Sequence, residues 1–104
     1  MRTTISARHA DITPLLRERA EEIVRKLAEL SPHALEATVV FDESPEGHAV
    51  EIRLHSRGRK VLIGTGEGAD HRTALDRAEE KIRPQVIKAS RTRLRARRVP
   101  TRDA

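Results

Sequence analysis

Residues 70–98 read DHRTALDRAEEKIRPQVIKASRTRLRARR, the longest stretch of helical periodicity in the chain. Apolar residues recur in this stretch at spacings of three or four, the spacing of one buried helix face. These residues are Leu75, Ala78, Ile82, Val86 and Ala89. Asp70 precedes them, where a carboxylate can accept hydrogen bonds from the free N–H groups of a first helical turn. The stretch therefore predicts a long amphipathic helix that begins after Asp70.

Basic side chains of the same stretch share a second helix face. At about 100° per residue, five cations fall within an arc of roughly 80°. These cations are Arg77, Lys81, Lys88, Arg91 and Arg95. We expect this row to lie opposite the apolar stripe and to face solvent. Pro84 removes one helical hydrogen bond, but the apolar stripe continues beyond it, so we expect a kink rather than the end of the helix.

The charge of the chain is concentrated near its C-terminus. Residues 1–80 contain 12 Lys and Arg against 15 Asp and Glu, whereas residues 81–104 contain 9 against 1. This asymmetry indicates a polyanionic partner. The alternative is a solvated helix face followed by a disordered basic tail, which we place at residues 99–104.

The rest of the chain predicts one small α+β domain over residues 1–98. A short strand at residues 2–6 precedes a helix that begins at Thr13-Pro14 and ends at Ser31-Pro32. Alternation with a period of two then predicts three strands, at residues 35–42, 50–55 and 60–64. Tight turns make these three an antiparallel meander. The order β-α-β-β-β-α predicts a two-layer domain, a four-stranded sheet with both helices on one face, similar to a double-stranded-RNA-binding domain.

Several function classes are excluded by composition and motifs. The chain has no Cys, and its His residues show no spacing typical of metal ligands, so we expect no metal site. Residues 64–69 match a dinucleotide-binding pattern, but no strand follows the helix, and Glu67 would lie beside the pyrophosphate. We interpret these glycines as a flexible connection between strand and helix. The single aromatic residue, Phe41, is expected in the core, which excludes recognition of RNA bases by stacking on the sheet.

No nucleophile or acid–base motif is present, and no apolar run approaches the roughly 20 residues that a membrane span needs. We therefore expect a cytoplasmic protein that is not an enzyme, with no cofactor, no small-molecule substrate and no membrane partner. We also expect the chain to be monomeric.

The chain as far as about Arg95 resembles the ribosome hibernation promoting factors, also called ribosome-associated translation inhibitors. In the N-terminal part the matching residues are Ile5-Ser6, Asp11-Ile12-Thr13 and Arg25-Lys26-Leu27. Towards the C-terminus they are Gly68-Ala69-Asp70, Ala74-Leu75-Asp76, Lys81-Ile82, Gln85 and Lys88. The family usually has an aromatic residue at the position of Arg72 and no proline at the position of Pro84.

The resemblance implies a protein that binds the small ribosomal subunit, with its 16S-type RNA, near the decoding region where tRNA and mRNA lie. Such a protein stops initiation and stores ribosomes in stasis. Longer members of the family add a C-terminal domain that pairs two ribosomes. The sequence is compatible with a short form or with the N-terminal domain of a long form.

We predict that the cationic row of the last helix contacts phosphates of ribosomal RNA, with Arg8 and Lys26 as further candidate contacts. Two other interpretations stay open at this point. One is a general binder of double-stranded nucleic acid. The other is a protein–protein module whose basic helix docks on an acidic partner.

Overall fold

The structure, a computed structural model, describes residues 1–58 and 60–98, with side chains described as far as Arg91. Its elements follow the predicted order β-α-β-β-β-α. They are β1 (Arg2–Arg8), α1 (Pro14–Leu30), β2 (Ala34–Ser44), β3 (Gly47–Ser56), β4 (Val61–Gly68) and α2 (His71–Arg98). The tail that the sequence predicts at residues 99–104 lies outside the described residues.

The four strands form one sheet in the order β1-β2-β3-β4. β1 is an edge strand and pairs with β2 in parallel, while β2, β3 and β4 form the predicted antiparallel meander. Both helices pack on one face of this sheet, α2 over β3 and β4 and α1 beside it towards β1 and β2. The α+β class and the two-layer architecture are therefore confirmed.

Both helices begin at the residues that the sequence indicates. Thr13 Oγ1 accepts a hydrogen bond from the Leu16 N–H at 3.1 Å, with Pro14 at the first helical position. Asp70 Oδ1 accepts one from the Thr73 N–H at 2.7 Å, and this hydrogen bond lowers the pKa of the Asp70 carboxyl. α2 then continues through Pro84 to its end, as expected, while the kink at Pro84 stays a prediction.

The core is aliphatic and lies between the sheet and the two helices. The strands contribute Ala37, Val39, Phe41, Val50, Ile52, Leu54 and Leu62. The helices contribute Ala20, Ile23, Val24, Leu27, Ala74, Leu75, Ala78, Ile82 and Val86. Leu35 begins the alternating pattern at residues 35–42, but its side chain is 52% exposed and lies outside the core. A β-bulge between Ala34 and Glu36 explains this exposure. A register shift of one residue turns a side chain to the other face of the sheet, so the Leu35 side chain does not point into the core.

The glycines of residues 64–68 are the second difference from the sequence prediction. They form the second half of β4 rather than a flexible connection. Gly64 and Gly66 lie under α2, and a Cβ atom at Gly64 would lie 2.6 Å from the Ala78 carbonyl oxygen. A glycine in a strand often marks such a close approach of another backbone. These glycines let the backbone of α2 rest directly on β4.

Replacing Ile82 with alanine should lower the free energy of unfolding by about 3 kcal/mol. Ile82 is fully buried and contacts the Gly64 position of β4, so the substitution leaves a cavity between α2 and the sheet. Thermal unfolding followed by circular dichroism should show a midpoint lower by roughly 12 °C or more. An unchanged midpoint would show that α2 does not pack as described.

Candidate nucleic-acid interface

The described members of the cationic row are exposed on α2, as the sequence predicts, and the first of them reaches an edge of the sheet. Arg77, Lys81, Lys88 and Arg91 are all exposed. Arg77 Nη1 donates a hydrogen bond to the Glu67 carbonyl oxygen at 2.7 Å. This bond places the start of the row beside the outer edge of β4. The helical projection alone could not show this, because it does not say which flank of the helix the sheet edge approaches.

The side chains of α2 also cover part of the outer edge of β4. An edge strand presents unpaired backbone donors and acceptors that can pair with another chain. Arg77 satisfies the Glu67 carbonyl, and Gln85 Nε2 donates to the Ile63 carbonyl oxygen at 2.7 Å. A guanidinium carries five N–H donors, so Arg77 can hold this bond and still contact a phosphate.

The opposite flank of α2 faces α1, and three of its charged residues, Asp76, Glu79 and Arg83, form ion pairs. Asp76 accepts hydrogen bonds from Arg19 Nη2 at 3.0 Å and Nε at 3.3 Å. On the same flank, Arg83 lies 4.0 Å from Glu79. Since adjacent helix residues differ by about 100°, Asp76 points to α1 while Arg77 points to the edge of β4.

The row, in contrast, carries uncompensated positive charge. Within the described side chains, Lys81, Lys88 and Arg91 form no ion pair. At 1.5 Å per residue, Arg77 and Arg91 are about 21 Å apart along the helix axis. Such a line of cations can follow several phosphates of a folded nucleic acid.

The C-terminal part of α2 extends beyond the core. Ala89 is the last apolar residue, within the described side chains, that packs against the core. The helix continues to Arg98, which corresponds to about 14 Å of additional length. Arg95 belongs to this extension, and its side chain lies outside the described part of the chain. The extension can enter a groove that is too narrow for the whole domain.

The other two candidate residues lie on other elements of the fold. Arg8 is exposed at the end of β1, the strand at the far edge of the sheet from β4. Ile5 packs on the core, and because side chains alternate along a strand, Arg8 points away from the helices. Lys26 lies on α1 and forms an ion pair with Glu22 at 3.2 Å. The structure therefore places the row along one helix, with Arg8 at the other edge of the sheet and Lys26 on the other helix.

A cluster that the sequence does not indicate lies at the start of α2. Glu43, His48 and His71 place one oxygen and two nitrogen atoms within 4.8 Å of one another. Their separation along the chain shows no ligand spacing. The signal that points to them is the register of the sheet, which pairs Glu43 with His48 and His48 with Gly68.

None of the helices that the structure describes has both the length and the apolar composition that a membrane span requires.

Comparison with known proteins identifies the family. A family model described as sigma 54 modulation protein / S30EA ribosomal protein matches residues 3–94. The chain belongs to this family. The match includes all four strands and most of α2, and it confirms the resemblance to ribosome-associated factors that the sequence motifs indicate.

Individual relatives agree with this assignment. Ribosome-associated factor Y of Haemophilus influenzae is 28% identical over 88 residues, which cover 85% of this chain and 81% of that protein. The crystal structure of the protein Y N-terminal domain of Thermus thermophilus matches with a TM-score of 0.73 and 26% identity, over 85% of this chain and 98% of that one. A ribosomal subunit interface protein of Coxiella burnetii shares the fold, with a TM-score of 0.77 at 19% identity, over 86% and 97% of the two chains.

Proposed function

We propose that this protein is a ribosome hibernation factor that binds the small ribosomal subunit near the decoding region. Bound there, it inhibits translation by occluding tRNA and mRNA. The observation that carries the proposal is the uncompensated row of cations on α2, in a chain of a family whose members include a ribosome-associated factor. A ribosome-bound protein of this kind acts in the cytoplasm.

The row supplies the affinity for RNA. Cations that neutralise phosphates release condensed counterions, so binding is strong at low salt and weakens as salt rises. Phosphate contacts position a protein without reading sequence. Specificity for one site on the ribosome then comes from the shape of that site, into which the extension of α2 can enter.

Inhibition by occlusion needs neither turnover nor a cofactor. One protein occupies one site, and the effect follows the fraction of small subunits that are bound. Initiator tRNA and mRNA compete with the protein for this site, because ligands that share a site exclude one another by mass action.

Sedimentation through sucrose gradients tests the binding partner. The protein should sediment with purified small subunits and stay near the top of the gradient with large subunits alone.

A gel shift with generic duplex RNA serves as the comparison. Equal affinity for duplex RNA and for small subunits would favour a general nucleic-acid binder. Co-sedimentation that survives nuclease treatment would favour docking on an acidic protein.

A further inference from the structure

Three side chains from different elements converge above the start of α2. Glu43 lies near the end of β2, His48 near the start of β3, and His71 is the first residue of α2. The Glu43 Oε1 atom lies 3.4 Å from His48 Nε2 and 3.6 Å from His71 Nε2. One carboxylate oxygen is thus shared between two imidazoles.

The sheet and the core hold these side chains in place. Glu43 and His48 are opposite each other in the β2–β3 hairpin, whose turn is only two residues from each of them. The rings of His48 and His71 meet at 82° with centroids 4.3 Å apart. His71 also packs edge-on against the buried Phe41, at 5.6 Å between ring centroids. The cluster is therefore ordered by packing that does not depend on its own polar contacts.

Three of the four imidazole nitrogens of this cluster are buried and make no hydrogen bond. Only 11% of the His71 side chain is exposed. Within the described residues, Nδ1 and Nε2 of His71 and Nδ1 of His48 are inaccessible to solvent and make no hydrogen bond. Buried polar atoms of this kind are exceptions that call for a ligand or another explanation. A neutral imidazole has one nitrogen lone pair that can bind a metal ion.

Two histidines and one carboxylate are a donor set that binds zinc with one position open to water. Ligands at 2.0–2.1 Å from a tetrahedral ion lie about 3.4 Å apart. The two distances from Glu43 to the histidines already match this spacing. The carboxylates of Glu43 and Asp70 add negative charge, which offsets the positive end of the α2 dipole.

We propose that Glu43, His48 and His71 form a binding site for one divalent transition-metal ion of the Zn²⁺ class. The ion takes one ligand atom from each residue and leaves its fourth position to water. It joins the β2–β3 hairpin to the first turn of α2, so metal binding stabilises the fold where the sheet meets the helix. The ligands of this site are not members of the row of cations on α2, and the inference does not depend on the proposed function.

Zinc binding to the whole protein, prepared without a histidine tag and treated with a chelator, tests the proposal. Isothermal titration calorimetry with Zn²⁺ should give one ion per chain. Zn²⁺ at a hundredfold excess over its Kd should raise the thermal midpoint by roughly 10 °C or more. Co²⁺ in the same site should give the strong visible absorption of a tetrahedral complex.

Variants separate this site from other histidines. Glu43→Gln and His48→Gln should each weaken Zn²⁺ binding by more than about tenfold. Changing a residue that only hydrogen-bonds to a metal ligand already weakens binding by about tenfold or more, and these variants remove a ligand itself. Glu43 is exposed and His48 is half-buried, so both variants should fold. His55→Gln removes a histidine of the same strand, seven residues from His48, and should leave the Kd unchanged. Absence of Zn²⁺ binding, or a Kd that is equal in the wild type and in the Glu43→Gln and His48→Gln variants, would overturn the proposal.

Discussion

Replacing Gly66 with alanine should leave the domain largely unfolded at 37 °C. A Cβ atom at this position would overlap the backbone of α2 at Ala74 and Ala78. Neither contact involves a flexible side chain, so the helix would have to move away from β4 as a whole. Overpacking usually costs about 1–3 kcal/mol, and here the displaced helix also loses its other core contacts. We therefore expect a larger loss of stability than for Ile82→Ala.

Thermal and urea unfolding of the Gly66→Ala protein measure this loss. Thr65→Ala is the matched control, because Thr65 is exposed on the same strand and points to the other face of the sheet. The control should unfold within about 0.5 kcal/mol of the wild type. A Gly66→Ala protein as stable as this control would mean that α2 does not lie directly on β4.

Replacing both Lys88 and Arg91 with alanine should weaken ribosome binding about 100-fold at low salt. A hydrogen bond to a charged group contributes about 1.5 kcal/mol or more, which is roughly tenfold in affinity for each of the two cations. The slope of the logarithm of affinity against the logarithm of salt concentration should also become shallower by about 2, because two fewer counterions are released. Both residues are exposed, so the fold should be unaffected.

The control for this double variant removes the same charge elsewhere. Arg17→Ala with Arg25→Ala changes two exposed arginines of α1 and lowers the net charge by the same amount. It should bind ribosomes nearly as well as the wild type. If the two double variants lose affinity and salt dependence equally, net charge rather than the row on α2 governs binding.

The local features of this fold could be predicted from the sequence because they depend on neighbouring residues. The caps at Thr13 and Asp70 involve atoms three residues apart in the chain. The buried stripe of α2 and the alternation of β2 and β3 depend on the geometry of a single element. Short turns between three alternating segments then fixed the meander.

Features that depend on contacts between distant elements could not be predicted in this way. The glycines of β4 were interpreted as flexible, because the residues that pack on Gly64, Ala78 and Ile82, are more than ten residues away in the chain. The hydrogen bond from Arg77 to the edge of β4 also could not be predicted, because it joins residues of two different elements. The cluster of Glu43, His48 and His71 forms only when a hairpin meets a helix start, and spacing in the sequence carries no sign of it.

Occlusion of the decoding region can be tested by competition between this protein, mRNA and initiator tRNA on the small subunit. Binding of the protein to small subunits should be measured with and without prebound mRNA and initiator tRNA, together with translation of a reporter mRNA as the protein is added. We expect inhibition to be complete near one protein per small subunit and to weaken when mRNA and tRNA are bound first. Binding and inhibition that are indifferent to prebound mRNA and tRNA would place the site elsewhere on the ribosome and contradict the occlusion mechanism.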